Sequence, residues 1–191
     1  MSRSLVALRA ADADDAPFLV ELWADSLRRA DVRDQVADIE SIVKHAASSP
    51  EQRLVIAEYD GARAGAVLLC TSTVSPLNLE PSLQVLAPTV APAFRRHGIG
   101  CSLMESAVTF AEELGVPNLA TAVGPGVRES NRFMARLALG PLATVRLAPT
   151  SAVRARLTAQ RPTLASSSGS GRQLTRVLAA RRSMKRSQAA G

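Results

Sequence analysis

Cysteine and histidine are scarce: Cys70, Cys101, His45 and His97 are the only ones in 191 residues. Two thiols build no multi-bridge framework, and the spacing to the histidines matches no Cys/His metal site, so no metal is expected. No apolar run approaches the ~20 residues needed to cross a membrane. The first apolar stretch, Leu5-Val6-Ala7-Leu8, is short and is soon followed by Asp12, Asp14 and Asp15, which does not fit a secretory signal. A cytoplasmic protein is the expectation. Acidic residues are missing from Arg154 onward, where nine Lys and Arg occur. The residues before it hold the other 14 basic side chains against 17 acids, so the net charge of +6 belongs to the tail and the body is mildly acidic. That tail also lacks aromatics, the stacking platforms of base recognition.

What is present is 47% apolar residues, enough for a sizeable core. Their periodicity gives an order of elements. Ser4 to Arg9 reads as a strand. Asp14 or a neighbour caps a helix with Pro17 in its first turn and Phe18, Leu19, Leu22, Trp23 and Leu27 at helical spacing. A second helix carries Val32, Val36, Ile39, Val43 and Ala46 on one face and stops at Ser48-Ser49-Pro50. Arg53 to Tyr59 and Ala64 to Thr73 form a hairpin about Asp60-Gly61. Leu83 to Val90 is a strand interrupted by Pro88, which donates no ladder hydrogen bond, so the strand must bulge or lie unpaired on one side. Ile99 to Leu114 is a helix whose stripe is Leu103, Ala107, Phe110, Ala111 and Leu114, with Gly115 and Pro117 stopping it. Asn118 to Val123 is a strand, Glu129 to Leu139 a helix, and Leu142 to Leu147 a last strand. Thr150 or Ser151 caps a short basic helix. A Ser/Gly linker covers 162–171, and 172–187 is a basic helical segment. These elements make a domain over 1–150 and a basic extension over 151–191.

One motif carries chemistry. Arg95-Arg96-His97-Gly98-Ile99-Gly100 lies between a strand and a long amphipathic helix. Glycines let backbone approach a ligand, and the first helical turn leaves N–H groups without intrahelical partners. With the helix dipole these donors form an anion site, to which Arg95 and Arg96 add charge-assisted hydrogen bonds of about 1.5–3 kcal/mol each. A pyrophosphate is the natural occupant. A dinucleotide fingerprint fits less well. Its third glycine would fall on Leu103, and Asn118-Leu119, about twenty residues on, supplies no acidic ribose ligand.

The run Val90-Ala91-Pro92-Ala93-Phe94-Arg95-Arg96-His97-Gly98-Ile99-Gly100-Cys101-Ser102-Leu103 resembles the acetyl-CoA motif of the GNAT superfamily of N-acyltransferases. Glu129 to Leu137, with Asn131, resembles that family's Asn-bearing fourth helix, and the element order matches its fold over roughly residues 4 to 148. The resemblance implies an α/β (α+β) fold: a mixed, mostly antiparallel central sheet with helices on both faces. It implies acetyl transfer from acetyl-CoA to a primary amine by direct attack. Backbone around Val90 would pair with the pantetheine arm and polarise the thioester. The amides from Arg95 to Gly100 (Arg95, Arg96, His97, Gly98, Ile99 and Gly100) would hold the pyrophosphate, and Asn131 would contact the pantetheine. Pro88 would mark the bulge where two strands splay around the acetyl group.

The catalytic half departs from the family. Seven positions after Asn131, where the family often has a Tyr acid, stands Ala138. The strand before the cradle has no carboxylate, where some members keep a Glu base. Glu58 and Glu80 are the remaining candidates for a base. Asp25, Asp31 and Asp34 cluster where the first two helices join, which in the family borders the acceptor pocket. His97 contributes its backbone N–H. Cys101 reads as a small apolar filler and Cys70 as a core residue. Two other classes of function fit these residues. One is an acyl-CoA sensor without turnover, suggested by Ala138. The other is a polyanion-binding accessory protein, in which residues 172–187 contact nucleic acid or an anionic membrane by phosphate neutralisation.

Overall fold

A computed structural model describes residues 5–122 and 128–160; the linker and basic segment expected at 162–171 and 172–187 lie outside the described residues. The contacts divide the chain between Pro141 and Leu142, whereas the sequence reading places the boundary at 150.

In the first unit, β1 (Val6–Ala10) leads through a 3-10 turn, Ala13–Asp15, into α1 (Ala16–Leu22) and α2 (Val32–Ser48). The turn is started by Asp12, whose side chain accepts from the Asp14 amide in a capping box closed by Asp15, and Pro17 sits early in α1, where its missing N–H costs nothing. β2 (Gln52–Tyr59), β3 (Ala62–Thr73) and β4 (Pro81–Val90) form an antiparallel meander, with β2 and β3 joined at Asp60-Gly61, both left-handed at φ +50° and +79°. A second 3-10 turn, Pro92–Phe94, precedes α3 (Ile99–Glu113). β5 (Asn118–Thr121) then joins the sheet parallel to β4, and α4 (Arg128–Arg136) follows. The five strands run in sequence order, β1-β2-β3-β4-β5, antiparallel except for the last pair.

Strand alternation divides the apolar residues between the two faces of the sheet. Val55 and Ala57 of β2, with Leu83 and Val85 of β4, pack against Ile99, Leu103, Ala107, Phe110 and Ala111 of α3 and Met134 of α4. Leu54 and Ile56 face the other way, onto Leu19, Val20 and Trp23 of the first helix and Ile39, Val43 and Ala46 of the second. Helices therefore cover both faces, as the sequence implies.

An ion cluster ties the start of the chain to the hairpin. The Asp15 carboxylate, fully buried, accepts two bonds from Arg9 at 2.6 and 2.8 Å and one from Arg63 at 2.6 Å. Burial disfavours its charge, but the bond from Arg9, the Asp12 amide and Arg63 outweigh that and hold its pKa down to about 2.

The second unit contains α5 (Thr150–Ala159), whose N-cap is Pro149 rather than Thr150 or Ser151. The strand expected at Leu142–Leu147 is not formed: the segment is irregular, with Leu142 77% and Leu147 98% exposed. Its alternating apolar pattern has no partner ladder among the described residues, and Pro141 and Pro149 bracket it without N–H donors.

Candidate active site

β4 is where the sheet opens. Ser82 to Val85 pair with Asn118 to Thr121 of β5, and the Thr121 hydroxyl donates to the Val85 carbonyl at 2.7 Å. Beyond that point β4 continues to Val90 with no β5 partner among the described residues. Its other edge stays on β3, but the register shifts. Leu68 faces Leu86 and Ala66 faces Thr89, so three steps on β4 match two on β3. Ala87 takes up the extra residue at φ +46°, a left-handed backbone for a non-glycine. The bulge expected from Pro88 is therefore present. Its Ala87 carbonyl accepts two bonds of 2.9 Å, from the Thr89 hydroxyl and from the indole Nε1 of Trp23 at the end of α1.

Past the bulge, β3 and β4 come unusually close. A Cβ on Gly65 would lie 2.7 Å from the Thr89 carbonyl oxygen and 3.4 Å from both the Val90 Cα and an Ile99 methyl. Only glycine fits there without displacing backbone, and the Ala91 amide then bonds to the Ala64 carbonyl at 2.8 Å.

The chain next turns through the cradle. Arg96 at φ +66° and Gly98 at φ +81° are left-handed, and α3 begins at Ile99 with Gly98 as N-cap. Left-handed residues alternating with ordinary ones turn successive amides into a concavity suited to anions. The Gly98 carbonyl accepts from Cys101 and Ser102, while the amides of residues 96–100 have no backbone acceptor among the described residues. Arg95, Arg96, His97 and Gly98 are exposed. Nothing lies within 4 Å of a Cβ placed on Gly98, and a Cβ on Gly100 would meet the Phe133 ring at 3.5 Å. Phe133 belongs to α4, two residues after Asn131, so the helix carrying Asn131 rests on the cradle.

Several contacts here escape sequence reasoning. Tyr59 packs on the His97 ring with centroids 4.5 Å apart and lies 6.1 Å from Phe94. The His97 Nδ1 is 3.2 Å from the Phe94 carbonyl, which requires the proton on that nitrogen. The Arg136 guanidinium sits 5.8 Å from the centre of the Phe133 ring. The Trp23 indole, apolar in any periodicity count, is the tether of the bulge.

Other expected residues lie elsewhere. Glu58 is on β2, two strands from β4, and is bonded to Arg9 at 2.7 Å. Glu80 is exposed in the loop before Pro81, at the end of β4 remote from Val90. Nine residues of strand, about 30 Å, separate it from the open end. Ala138 lies past the end of α4 at φ +63°. Asp25, Asp31 and Asp34 are exposed. Cys101 is no filler: it is exposed and, with Met104, Val108, Leu119 and Leu137, lines a groove of about 460 Å³. Cys70 is half-buried, and burial pushes its thiol pKa up. Among the described residues no group of three or more His, Cys, Asp or Glu is placed to hold a metal, and no helix is long and apolar enough to cross a membrane.

Residues 16–139 match the acetyltransferase (GNAT) family. A protein described as an uncharacterized N-acetyltransferase, from Archaeoglobus fulgidus, is 28% identical over 130 residues, covering 67% of this chain and 88% of that one. Among solved structures, an aminoglycoside N-acetyltransferase in complex with CoA superposes with a TM-score of 0.62 at 16% identity, over 75% of this chain and 93% of that one. A ribosomal-protein-alanine N-acetyltransferase from Brucella melitensis biovar Abortus 2308 superposes with a TM-score of 0.55 at 18% identity, over 75% and 98%. At these identities the structures establish likeness of fold.

Proposed function

The chain belongs to the GNAT acetyltransferase family and is an acetyl-CoA-dependent acyltransferase, and from that premise we propose that it moves the acetyl group of acetyl-CoA to a primary amine by direct attack. The observation that carries this reading is the opening of β4 from β5 immediately before the left-handed turn at Arg96 and Gly98. In this reading the amides from Arg96 to Gly100 bind the pyrophosphate, and Arg95 and Arg96 add charge. Backbone from Ala87 to Val90 lines the thioester, and Asn131 on α4 contacts the pantetheine arm. The amine nitrogen bonds to the thioester carbon, the C–S bond breaks, the nitrogen loses its proton to solvent, and CoA leaves as thiolate. A cytoplasmic location belongs to the same reading.

The energetics allow this without a dedicated base. An alkylammonium of pKa near 10 is about 0.1% neutral at pH 7, a cost of about 4 kcal/mol. Holding amine and thioester together supplies about 7–11 kcal/mol. The exposed Asp25, Asp31 and Asp34 favour a cationic acceptor approaching from the α1–α2 side.

The test is calorimetric titration of acetyl-CoA and of CoA into the wild type and Gly98→Trp, followed by thiol release with a panel of amines. Nothing lies within 4 Å of a Cβ on Gly98, but its backbone is left-handed at φ +81°, so a thermal melt first establishes that the variant is folded. Saturable binding lost in the variant, with amine-dependent thiol release in the wild type, is the expected result. Tight binding without turnover on any amine leaves an acyl-CoA sensor. No binding by folded wild type removes the cofactor assignment.

A further inference from the structure

We propose that Trp23 is a positioning residue for acyl transfer: its indole N–H holds the Ala87 carbonyl, and through it the β4 bulge that sets the backbone beside the acetyl group. This rests on the acyl-transfer reading above.

Trp23 is the protein's one tryptophan and is 5% exposed. It is itself firmly fixed. Its amide bonds to the Leu19 carbonyl at 2.9 Å, and its own carbonyl accepts from Ser26 at 2.7 Å and Leu27 at 3.2 Å. The indole therefore comes from a rigid helix end, and its donor reaches 2.9 Å across 64 positions of sequence to the one non-glycine bulge residue in β4. A left-handed alanine is unfavourable by itself and persists only where surroundings over-determine it. Here the surroundings are two donors on one carbonyl, from Trp23 and Thr89. Pro88 has no N–H, so the strand loses a ladder bond at the position where it must keep its shape. The side-chain tether takes that role.

The consequence is directional. With the Ala87 carbonyl drawn toward the α1 face, the peptides that follow, up to Val90, take the orientation that leaves the β5 side open. An oxyanion donor must be in place before charge develops, and loss of its orientation appears in the chemical step rather than in binding. The device also joins the two halves of the site. The helix end that bears the indole lies next to the acidic α1–α2 join, and its hydrogen bond ends on the strand that flanks the thioester.

The variant is Trp23→Phe, which keeps an aromatic ring in the core and removes the N–H. The expected result is a loss of roughly tenfold in kcat, the factor of one net hydrogen bond. CoA, which has no acyl group, should bind within about twofold of wild type because the cradle is untouched. The spectroscopic readout is the infrared stretch of 13C-labelled acetyl-CoA at its thioester carbonyl. Its shift to lower frequency on binding wild type should shrink in the variant. Thr89→Val removes the second donor on the same carbonyl and should act in the same direction, with Thr89→Ser restoring the wild-type frequency; this pair decides the matter if Trp23→Phe does not fold. A folded variant with wild-type kcat overturns the proposal, and so does one whose kcat falls while the carbonyl frequency stays put. Wild type that never binds CoA sinks the acyl-transfer reading first, before any variant is made.

Discussion

Replacing Gly65 by alanine adds one methyl group at the tightest point of the molecule. That carbon would sit 2.7 Å from the Thr89 carbonyl oxygen, closer than real contacts allow, and 3.4 Å from the Val90 Cα and the Ile99 methyl. Two of the three obstacles are backbone, so no rotamer change relieves them. The strand end from Thr89 to Val90 must move away from β3, carrying the start of α3 with it. Overpacking of this kind costs about 1–3 kcal/mol. For a chain of this size about 2 kcal/mol lowers the melting temperature by about 4–8 °C. Because the displaced backbone is the stretch assigned to the thioester and the approach to the cradle, acetyl-CoA binding should weaken roughly tenfold as well. Gly140→Ala is the control: no atom lies within 4 Å of its Cβ position, and both quantities should stay at wild-type values. Thermal melts and calorimetric titration read the two effects separately. A Gly65→Ala protein that melts within about 1 °C of wild type and binds acetyl-CoA equally well refutes the close approach of β3 to β4.

Acid stability should depend on Asp15. Its pKa, about 2 in the fold, lies below the value near 3.9 of an unfolded aspartate. Its stabilisation is therefore complete above about pH 4 and disappears as the pH falls toward 2, a change of about 2 kcal/mol. In urea titrations the stability gap between wild type and Asp15→Asn should narrow by that amount over this window, and a gap that is constant with pH would contradict the cluster. Ala138→Gly should raise stability by up to about 1 kcal/mol. Ala138 ends α4 at φ +63°, and the Leu139 amide bonds back to the Met134 carbonyl at 3.0 Å, a helix stop that glycine makes without strain. A lower urea midpoint for that variant would count against it.

The sequence reading recovers what local rules control. The Leu103–Phe110–Ala111 stripe marks the helix, Asp60-Gly61 marks the hairpin, and the glycines at 98 and 100 mark the turn into α3. Pro88 announces the bulge because a residue without N–H cannot sit quietly in a ladder. What it misses is long-range or partner-dependent. A helical apolar pattern includes Trp23 but says nothing of a donor meeting a carbonyl 64 residues away. The Arg9–Asp15–Arg63 cluster joins three segments whose charges look like solvated surface when each is read alone. Leu142 to Leu147 alternates like a strand, yet alternation becomes a strand only against an edge that accepts it, and the described sheet ends at β5. Glu58 is a free carboxylate in the sequence and half of an ion pair in the fold.

The lack of titratable side chains in the two segments that border the opening has a kinetic signature of its own. From Pro81 to Phe94, and again from Asn118 to Val127, the chain contains no Asp, Glu, His, Cys, Lys, Arg or Tyr. In the proposed reading, the strands that flank the acetyl group therefore supply no proton acceptor from their own side chains. If the amine reacts only as its neutral form, kcat/KM should rise about tenfold per pH unit and level off at the pKa of the acceptor. With a primary alkylamine that plateau comes near pH 10; with an acceptor of pKa about 8 it comes two units lower. A general base contributed by another element, such as Asp25, Asp31 or Asp34 at the helix join, would give a different result. The bend would belong to the enzyme and stay at one pH whatever amine is used. Rate profiles for a set of acceptors spanning about two pKa units separate the cases. A bend that tracks the acceptor places proton loss in solution before attack, and one that does not names the α1–α2 join as the place to look for the base.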